Sequence, residues 1–230
     1  MDEEMDKIYA IIPVSKFSNA KTRLSPFLTL EERENLLKAM LNDVTEALRD
    51  NVDDIYIISA DKEVLEYAHN MDLKTIVEED NPKEKSLNNA LKQAMDEVKD
   101  KVQKVIILPS DVPLIGKTNI GMFIEQTQLM HFIIVPSKGG GTNALLISPN
   151  SIEMKFGDFS FIKHIKQADI NKFTPIVHDS FYMAMDVNTT EDLGEIIIHG
   201  DGTKTKEYLQ SLNIHVRSVH GPERLIVERD

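Results

Sequence analysis

Along the first half of the chain, short apolar runs alternate with segments whose apolar residues recur at helical spacing. Ile8–Val14, Ile55–Ser59, Lys74–Val77 and Lys104–Leu108 read as buried strands, because a strand covered on both faces shows no polar alternation. Between the first two lies a helix. Thr29 and Glu32 form a capping box, and Leu36, Leu37, Met40, Leu41, Val44 and Leu48 follow on one face. Asp61 to Met71 reads as a shorter helix capped by Asp61. Ser86 opens another, with Leu87, Ala90, Leu91, Ala94, Met95 and Val98 on one stripe. The order β-α-β-α-β-α-β predicts an α/β fold with a parallel sheet covered by helices on both faces.

The second half changes character. A helix is expected over Met122–Leu129, and strands over Phe132–Val135 and Asn143–Ile147. The flexible glycine turn between those two strands makes them an antiparallel pair. Further on, Ser160–Ala168 reads as helical, Thr174–Val177 and Met183–Met185 as extended, and Thr190–Ile198 as a helix capped by Thr189 or Thr190. Gly200-Asp201-Gly202 breaks the chain before a last helix near Lys204–Leu212 and a strand near Ile214–Arg217. No repeat, low-complexity tract or linker divides the sequence. The expectation is one domain over residues 1–230, a nucleotide-binding half (about 1–115) and an acceptor half (about 116–230) sharing one mixed sheet.

Charge narrows the chemistry. The chain carries 38 Asp and Glu against 26 Lys and Arg, a formal net charge of −12. That balance argues against a general nucleic-acid surface and against adhesion to anionic membrane. Without cysteine there is no disulfide, thiolate metal site or cysteine nucleophile. No apolar stretch is long enough to span a bilayer, and the acidic start MDEEMDK lacks the features of a signal peptide, so a cytoplasmic protein is expected.

Against this background Ser15 to Ser25, SKFSNAKTRLS, stands out. No carboxylate occurs between Lys7 and Leu30, while Lys16, Lys21 and Arg23 crowd into the loop after the first strand. The C-terminal edge of an open α/β sheet is where ligands bind, so the loop suits a small anion such as a phosphate chain. A solvated loop with three scattered cations is the competing reading. In Leu108-Pro109-Ser110-Asp111-Val112-Pro113-Leu114, two prolines hold Asp111 past the end of a strand at the same edge. A rigid carboxylate facing phosphates suits Mg²⁺; a capping role is the alternative. Asp186, read as ending the apolar strand Met183–Met185, is a candidate second ligand, with Asn188 as a weaker oxygen.

Further candidates carry plain structural alternatives. Gly140, Gly141 and Thr142 offer an anion cradle or simply a hairpin turn. Ser160, after Phe156-Gly157-Asp158-Phe159, reads as the cap of a helix whose N-terminus can hold phosphate. Asn88, at the start of the helix after Ser86, reads a base or ribose edge or caps its helix. The seven histidines (His69, His131, His164, His178, His199, His215 and His220) show no metal spacing and receive no catalytic role. Basic groups and carboxylates without an evident nucleophile or general base fit transfer to an acceptor that is itself an ionised phosphate.

At these residues the chain resembles the 2-phospho-L-lactate guanylyltransferases of coenzyme F420 biosynthesis, within the nucleotidyltransferases of GT-A-like fold. Four blocks carry the resemblance: Ile12 to Leu24, Ser86 to Leu91, Pro109 to Pro113, and Gly139 to Leu145. Phe156-Gly157, Ser160-Phe161 and Asp186 add to it. The resemblance implies a Rossmann-like, mostly parallel mixed sheet and transfer of GMP from GTP to 2-phospho-L-lactate. Related enzymes accept phosphoenolpyruvate or 3-phosphoglycerate. Position by position, it implies that Pro13, Val14, Lys16, Lys21, Arg23, Asn88 and Ser110 bind GTP. Lys21, Arg23 and Asp111 would be catalytic, Asp111 and Asp186 would bind Mg²⁺, and Thr142, Gly157 and Ser160 would hold the acceptor. It implies a homodimer acting on small molecules. Two positions depart from the family pattern: Asn188 stands where an acid is usual, and Ser86 where glycine is common. A nucleotidyltransferase for a sugar phosphate or molybdopterin, and a non-catalytic nucleotide-binding module, are the competing readings. The SNAKTR loop, where those other enzymes carry glycines, counts against the first, and two retained aspartates count against the second.

Overall fold

The computed structural model describes residues 7–79, 86–128, 131–218 and 225–230. The acidic start (residues 1–6), Leu129 and His220 lie outside the described residues. Four parallel strands form as expected: β1 (Ile8–Pro13), β2 (Asp54–Ser59), β3 (Lys74–Val77) and β4 (Lys104–Ile107). They are joined by α1 (Leu30–Leu48), α2 (Lys62–Asn70) and α3 (Leu87–Val98). The caps are those the sequence announces. Thr29 and Glu32 close a capping box on α1, Asp61 accepts from the first turn of α2, and Ser86 accepts from Asn89 N–H at the start of α3.

Then follow α4 (Lys117–Glu125), the antiparallel pair β5 (Phe132–Pro136) and β6 (Thr142–Ile147), and α5 (Ser160–Ile170). After a two-residue β7 (Ile176–Val177) come α6 (Phe181–Ala184), α7 (Thr190–His199) and α8 (Lys204–Ser211). A hairpin of β8 (Ile214–Ser218) and β9 (Leu225–Arg229) ends the chain. The sheet order is β3-β2-β1-β4-β6-β5-β7, with only β6 running against the rest. One continuous mixed sheet therefore runs through both halves of the chain.

Successive residues of β1 face opposite layers. Ala10 and Ile12 pack with α1, α4 and α7, while Tyr9 and Ile11 pack with α3 and α5. Burial on both faces is why β1 and β4 are apolar at nearly every position. No helix among the described residues is long and apolar enough to cross a membrane.

Four expectations are corrected. The helix expected from Met122 starts five residues earlier, at Lys117, where Asn119 closes a cap on Gly116 N–H. Met183–Met185 is not a strand: Ser180 accepts from Met183 N–H and winds Phe181–Ala184 into one helical turn. A three-residue apolar alternation is too short to resist a local cap. Extended backbone over Thr174–Val177 is reduced to the two residues of β7. Strand β9 had no counterpart in the sequence reading, and its partner β8 lies outside the main sheet.

Candidate functional site

The strand order reverses between β1 and β4: the chain leaves β1 toward β2 and β3, then returns to the other side. A crevice opens at such a switch point beyond the carboxyl ends of the strands. Here it is a cavity of about 620 Å³, walled by the loop after β1, the loop after β4 and the start of α3. That volume falls within the range of small-ligand sites.

The loop after β1 is held by its apolar residues. Phe17, Ala20, Leu24 and Leu28 are buried, and two short 3₁₀ turns (Phe17–Asn19 and Thr22–Leu24) separate them. Arg33 of α1 reaches under the loop and donates from Nη1 to the Ala20 carbonyl at 2.6 Å. The polar residues between these anchors are left to face the cavity. Lys16 and Arg23 are exposed on its wall and make no side-chain hydrogen bond or ion pair among the described residues. Lys21 has left-handed backbone (φ 47°), a conformation costly for a residue with a Cβ and concentrated at functional sites.

That backbone sends Lys21 inward. Its Nζ donates to Asp111 Oδ2 and to the Val187 carbonyl, each at 2.5 Å. Asp111 is tied to the same segment through its backbone, its carbonyl accepting from Val187 N–H at 2.9 Å. Pro13, Val14, Ser110 and Asn188 complete this wall.

A second cavity of about 220 Å³ adjoins the first and shares Pro13, Leu87, Pro109 and Asp111 with it. Its own walls are Thr142, Gly157, Ser160, Asn143 and Asp186. Asp186 follows α6 rather than a strand. Burial and the neighbouring Asp111 charge push its carboxyl above the usual carboxylate range, and a hydrogen bond from Asn143 works against them. Asn143 Nδ2 lies 3.4 Å from Asp186 Oδ1, and the Asn188 amide donates to Asp186 Oδ2.

Asp111, at the seam of the cavities, and Asp186, on the wall of the smaller one, are the two carboxylates that could hold a metal ion here, Asp111 being bound to the Lys21 ammonium. Among the described residues no three His, Cys, Asp or Glu side chains gather. Two carboxylates suit Mg²⁺, which takes one or two protein oxygens and completes its shell with phosphate and water.

The acceptor-side turn differs from the cradle expected of it. Gly140 N–H donates to the Ser137 carbonyl at 3.0 Å and Gly141 N–H to Ser137 Oγ at 2.8 Å, so both are engaged inside the turn. Gly140 has φ +80°, and the turn is hydrogen-bonded rather than loose. Lys138 points away, to the buried Asp192 of α7 at 2.7 Å. Ser160 does not cap α5 but is its first residue, Phe159 standing at the cap with left-handed backbone and no side-chain bond. Ser160 N–H is taken by Gly157 O and Phe161 N–H by Gly140 O, so that helix end keeps fewer free donors than a phosphate site would use.

Asn88 lines neither cavity. Its amide clasps the backbone of Phe156, accepting from Phe156 N–H at 2.8 Å and donating to Phe156 O at 3.1 Å. The remaining candidates fall into two groups that meet at Asp111: Pro13, Val14, Lys16, Lys21, Arg23 and Ser110 on one side, and Thr142, Gly157, Ser160 and Asp186 on the other.

Sequence reasoning passed over three residues. The Val187 carbonyl and Arg33 carry no signal readable in sequence. His164 carried one: it lies four residues after Ser160, on the same face of α5.

A family profile described as "Guanylyl transferase CofC like" matches residues 8–230. The 2-phospho-L-lactate guanylyltransferase of Methanobrevibacter ruminantium is 63% identical, the match covering 98% of this chain and 100% of the relative. The enzyme of the same name from Methanothermobacter thermautotrophicus is 50% identical, over 97% of this chain and 99% of the relative. In three dimensions the chain is similar to a crystal structure from Desulfovibrio desulfuricans G20 that bears the name of a nucleotide-diphospho-sugar transferase. The TM-score is 0.72 at 16% identity, covering 90% of this chain and 95% of the other. A nucleotidyl transferase from Methanothermobacter superposes with a TM-score of 0.59 at 13% identity, over 89% and 99% of the two chains. At these identities the structural likeness speaks for the fold.

Proposed function

The chain belongs to the CofC-like guanylyl transferase family, and on that premise we propose that it transfers GMP from GTP to 2-phospho-L-lactate. The products are lactyl-2-diphospho-5′-guanosine and pyrophosphate. The observation that carries this reading is the meeting of the two cavities at Asp111. A nucleoside triphosphate in the larger and a phosphorylated acid in the smaller bring their reacting phosphates to one carboxylate.

In this reading the part of the chain up to about residue 115 holds the nucleotide and the rest supplies most of the acceptor wall. Lys16, Lys21 and Arg23 neutralise the triphosphate. Pro13, Val14 and Ser110 shape the floor against which its α-phosphate lies. Asn88, which lines neither cavity and holds the Phe156 backbone, is assigned in this reading to the wall between the two substrates rather than to the nucleoside. Thr142, Gly157 and Ser160 bound the acceptor's phosphate and carboxylate. An acceptor oxygen attacks the α-phosphorus, the bond from that phosphorus to the bridging oxygen breaks, and pyrophosphate leaves. The acceptor phosphate is already ionised at neutral pH, so no protein base is required. Catalysis is positioning and charge neutralisation. Held by Asp111 and Asp186, Mg²⁺ would supply Lewis-acid neutralisation of the phosphate oxygens. The resemblance to the family supports a cytoplasmic homodimer, to be checked by sedimentation.

Pyrophosphate release with Mg²⁺ and GTP, alone and with 2-phospho-L-lactate, phosphoenolpyruvate or 3-phosphoglycerate, tests the proposal. Release that depends on 2-phospho-L-lactate is expected. Release only with another acceptor overturns the substrate. Silence with all three, from folded protein that binds GTP, overturns the transferase reading.

A further inference from the structure

His164 is fully buried, yet it touches Thr142 and Phe156 of the acceptor cavity's wall and Lys155 next to them. Its Nδ1 lies 2.9 Å from Thr142 Oγ1, its Nε2 accepts from the backbone N–H of Lys155 at 3.0 Å, and its ring meets the Phe156 ring edge-on at 4.7 Å. The Lys155 contact settles the tautomer. A backbone N–H only donates, so Nε2 must present a lone pair, and the ring proton sits on Nδ1. Burial lowers the pKa of His164 to about 4, so the ring stays neutral in ordinary buffers and does not act as a general base.

The consequence falls on Thr142. With Nδ1–H donating to it, Thr142 Oγ1 uses a lone pair toward His164 and keeps its single proton for another partner. Thr142 borders the smaller cavity beside Ser160 and Gly157. We propose that His164 is a positioning residue that fixes the Thr142 hydroxyl as a hydrogen-bond donor to the anionic acceptor and, through Lys155 N–H and the Phe156 ring, steadies the Phe156–Gly157 wall. The Asn88 clasp on Phe156 secures the same wall from the nucleotide side. The arrangement favours an acceptor that places a phosphate or carboxylate oxygen there over one that places an N–H donor there. This inference rests on the transferase reading for its substrate; the tautomer itself can be tested without any substrate.

Two measurements test it. The first uses the wild-type chain with ¹⁵N-labelled histidine. The two ring-nitrogen shifts of His164 at neutral pH are expected to be those of the neutral Nδ1–H form, and an Nε2–H or charged ring overturns the proposal whether or not the protein turns over. The second is a cycle of Thr142→Val and His164→Gln, with KM read separately for acceptor and GTP. Glutamine can accept from Lys155 N–H but places no donor where Nδ1 stood. Each single variant is expected to raise the acceptor KM by about 10- to 100-fold with the GTP KM within about twofold, and the double variant to go no further than Thr142→Val alone. His164→Asn, whose amide nitrogen falls near the Nδ1 position, should recover most of the loss. Independent effects in the double variant, or a GTP KM that rises in step, overturn the proposal, as does His164→Asn being no better than His164→Gln.

Discussion

Asp111→Asn separates a catalytic carboxylate from a structural one. Asp111 is about one-fifth exposed and Lys21 about one-tenth, and the two side chains meet at 2.5 Å. Asparagine keeps a carbonyl oxygen for Lys21 while removing the charge. Lys21 stays charged, so its bond to asparagine remains charge-assisted on the donor side, and within the about 1.5–3 kcal/mol span of hydrogen bonds to charged groups the loss is about 1 kcal/mol. The 3–5 kcal/mol of a broken buried pair is an upper bound, because Asp111 is partly wet and an acceptor survives. Two features limit the cost further. The Val187 N–H bond goes to the Asp111 backbone and is untouched, and Asp186 is relieved of the charge that raises its pKa. A drop in melting temperature of about 2–4 °C follows for a chain of this size. Turnover should fall at least about 100-fold, or ~2.7 kcal/mol of transition-state stabilisation, since the substitution removes one charge at the phosphates and one metal oxygen. Thermal melts and pyrophosphate release, both with and without GTP, read the two effects. Wild-type turnover with a lowered melting temperature would make the pair structural and refute the reasoning.

Lys21→Ala should raise the KM for GTP more than that for the acceptor, because Lys21 lines the larger cavity and not the smaller one; equal rises in initial-rate assays would count against the triphosphate role. Gly157 has φ +117° with nothing within 4 Å of the place a Cβ would take. Gly157→Ala should therefore act through backbone strain, costing about 1 kcal/mol in denaturant melts and raising the acceptor KM. The Arg229 hydrogen bond to Glu32 lowers that carboxyl from 4.5 to about 2, so the unfolded state binds a proton the folded state refuses. This stabilisation is complete above pH 4.5 and is lost as pH falls toward about 2. Glu32→Gln should thus melt below wild type at pH 6 and converge with it near the acid limit. A gap that is the same at both pH values would refute the linkage.

Much of the site was legible in the chain because its loops follow strands. Residues just past β1 and β4 must lie at one edge of a parallel sheet, which brings Lys16, Lys21 and Arg23 to the same side as Asp111 without any knowledge of packing. Caps at Thr29, Asp61 and Ser86 were legible for the same reason: each depends on neighbours within a few residues. Asp186 was located at the right edge for the wrong reason, since a three-residue pattern does not distinguish a strand from the turn of helix that Ser180 nucleates. Asn88 was ambiguous because an amide serves a base or a backbone equally well, and its partner Phe156 lies 68 residues away.

Local periodicity and capping, acting over a few residues, set the elements, their order and the basic loop in an otherwise acidic chain. The insertion of β6 between β4 and β5, the Lys21 bond to Val187 across 166 residues, and the turning of Gly140 and Gly141 inward are tertiary decisions. So is the tautomer of His164, which is set by a backbone N–H and a hydroxyl that meet only once α5 has packed against β6. Such contacts depend on which buried polar groups find one another when the layers close, and each residue's own sequence neighbourhood leaves that choice open.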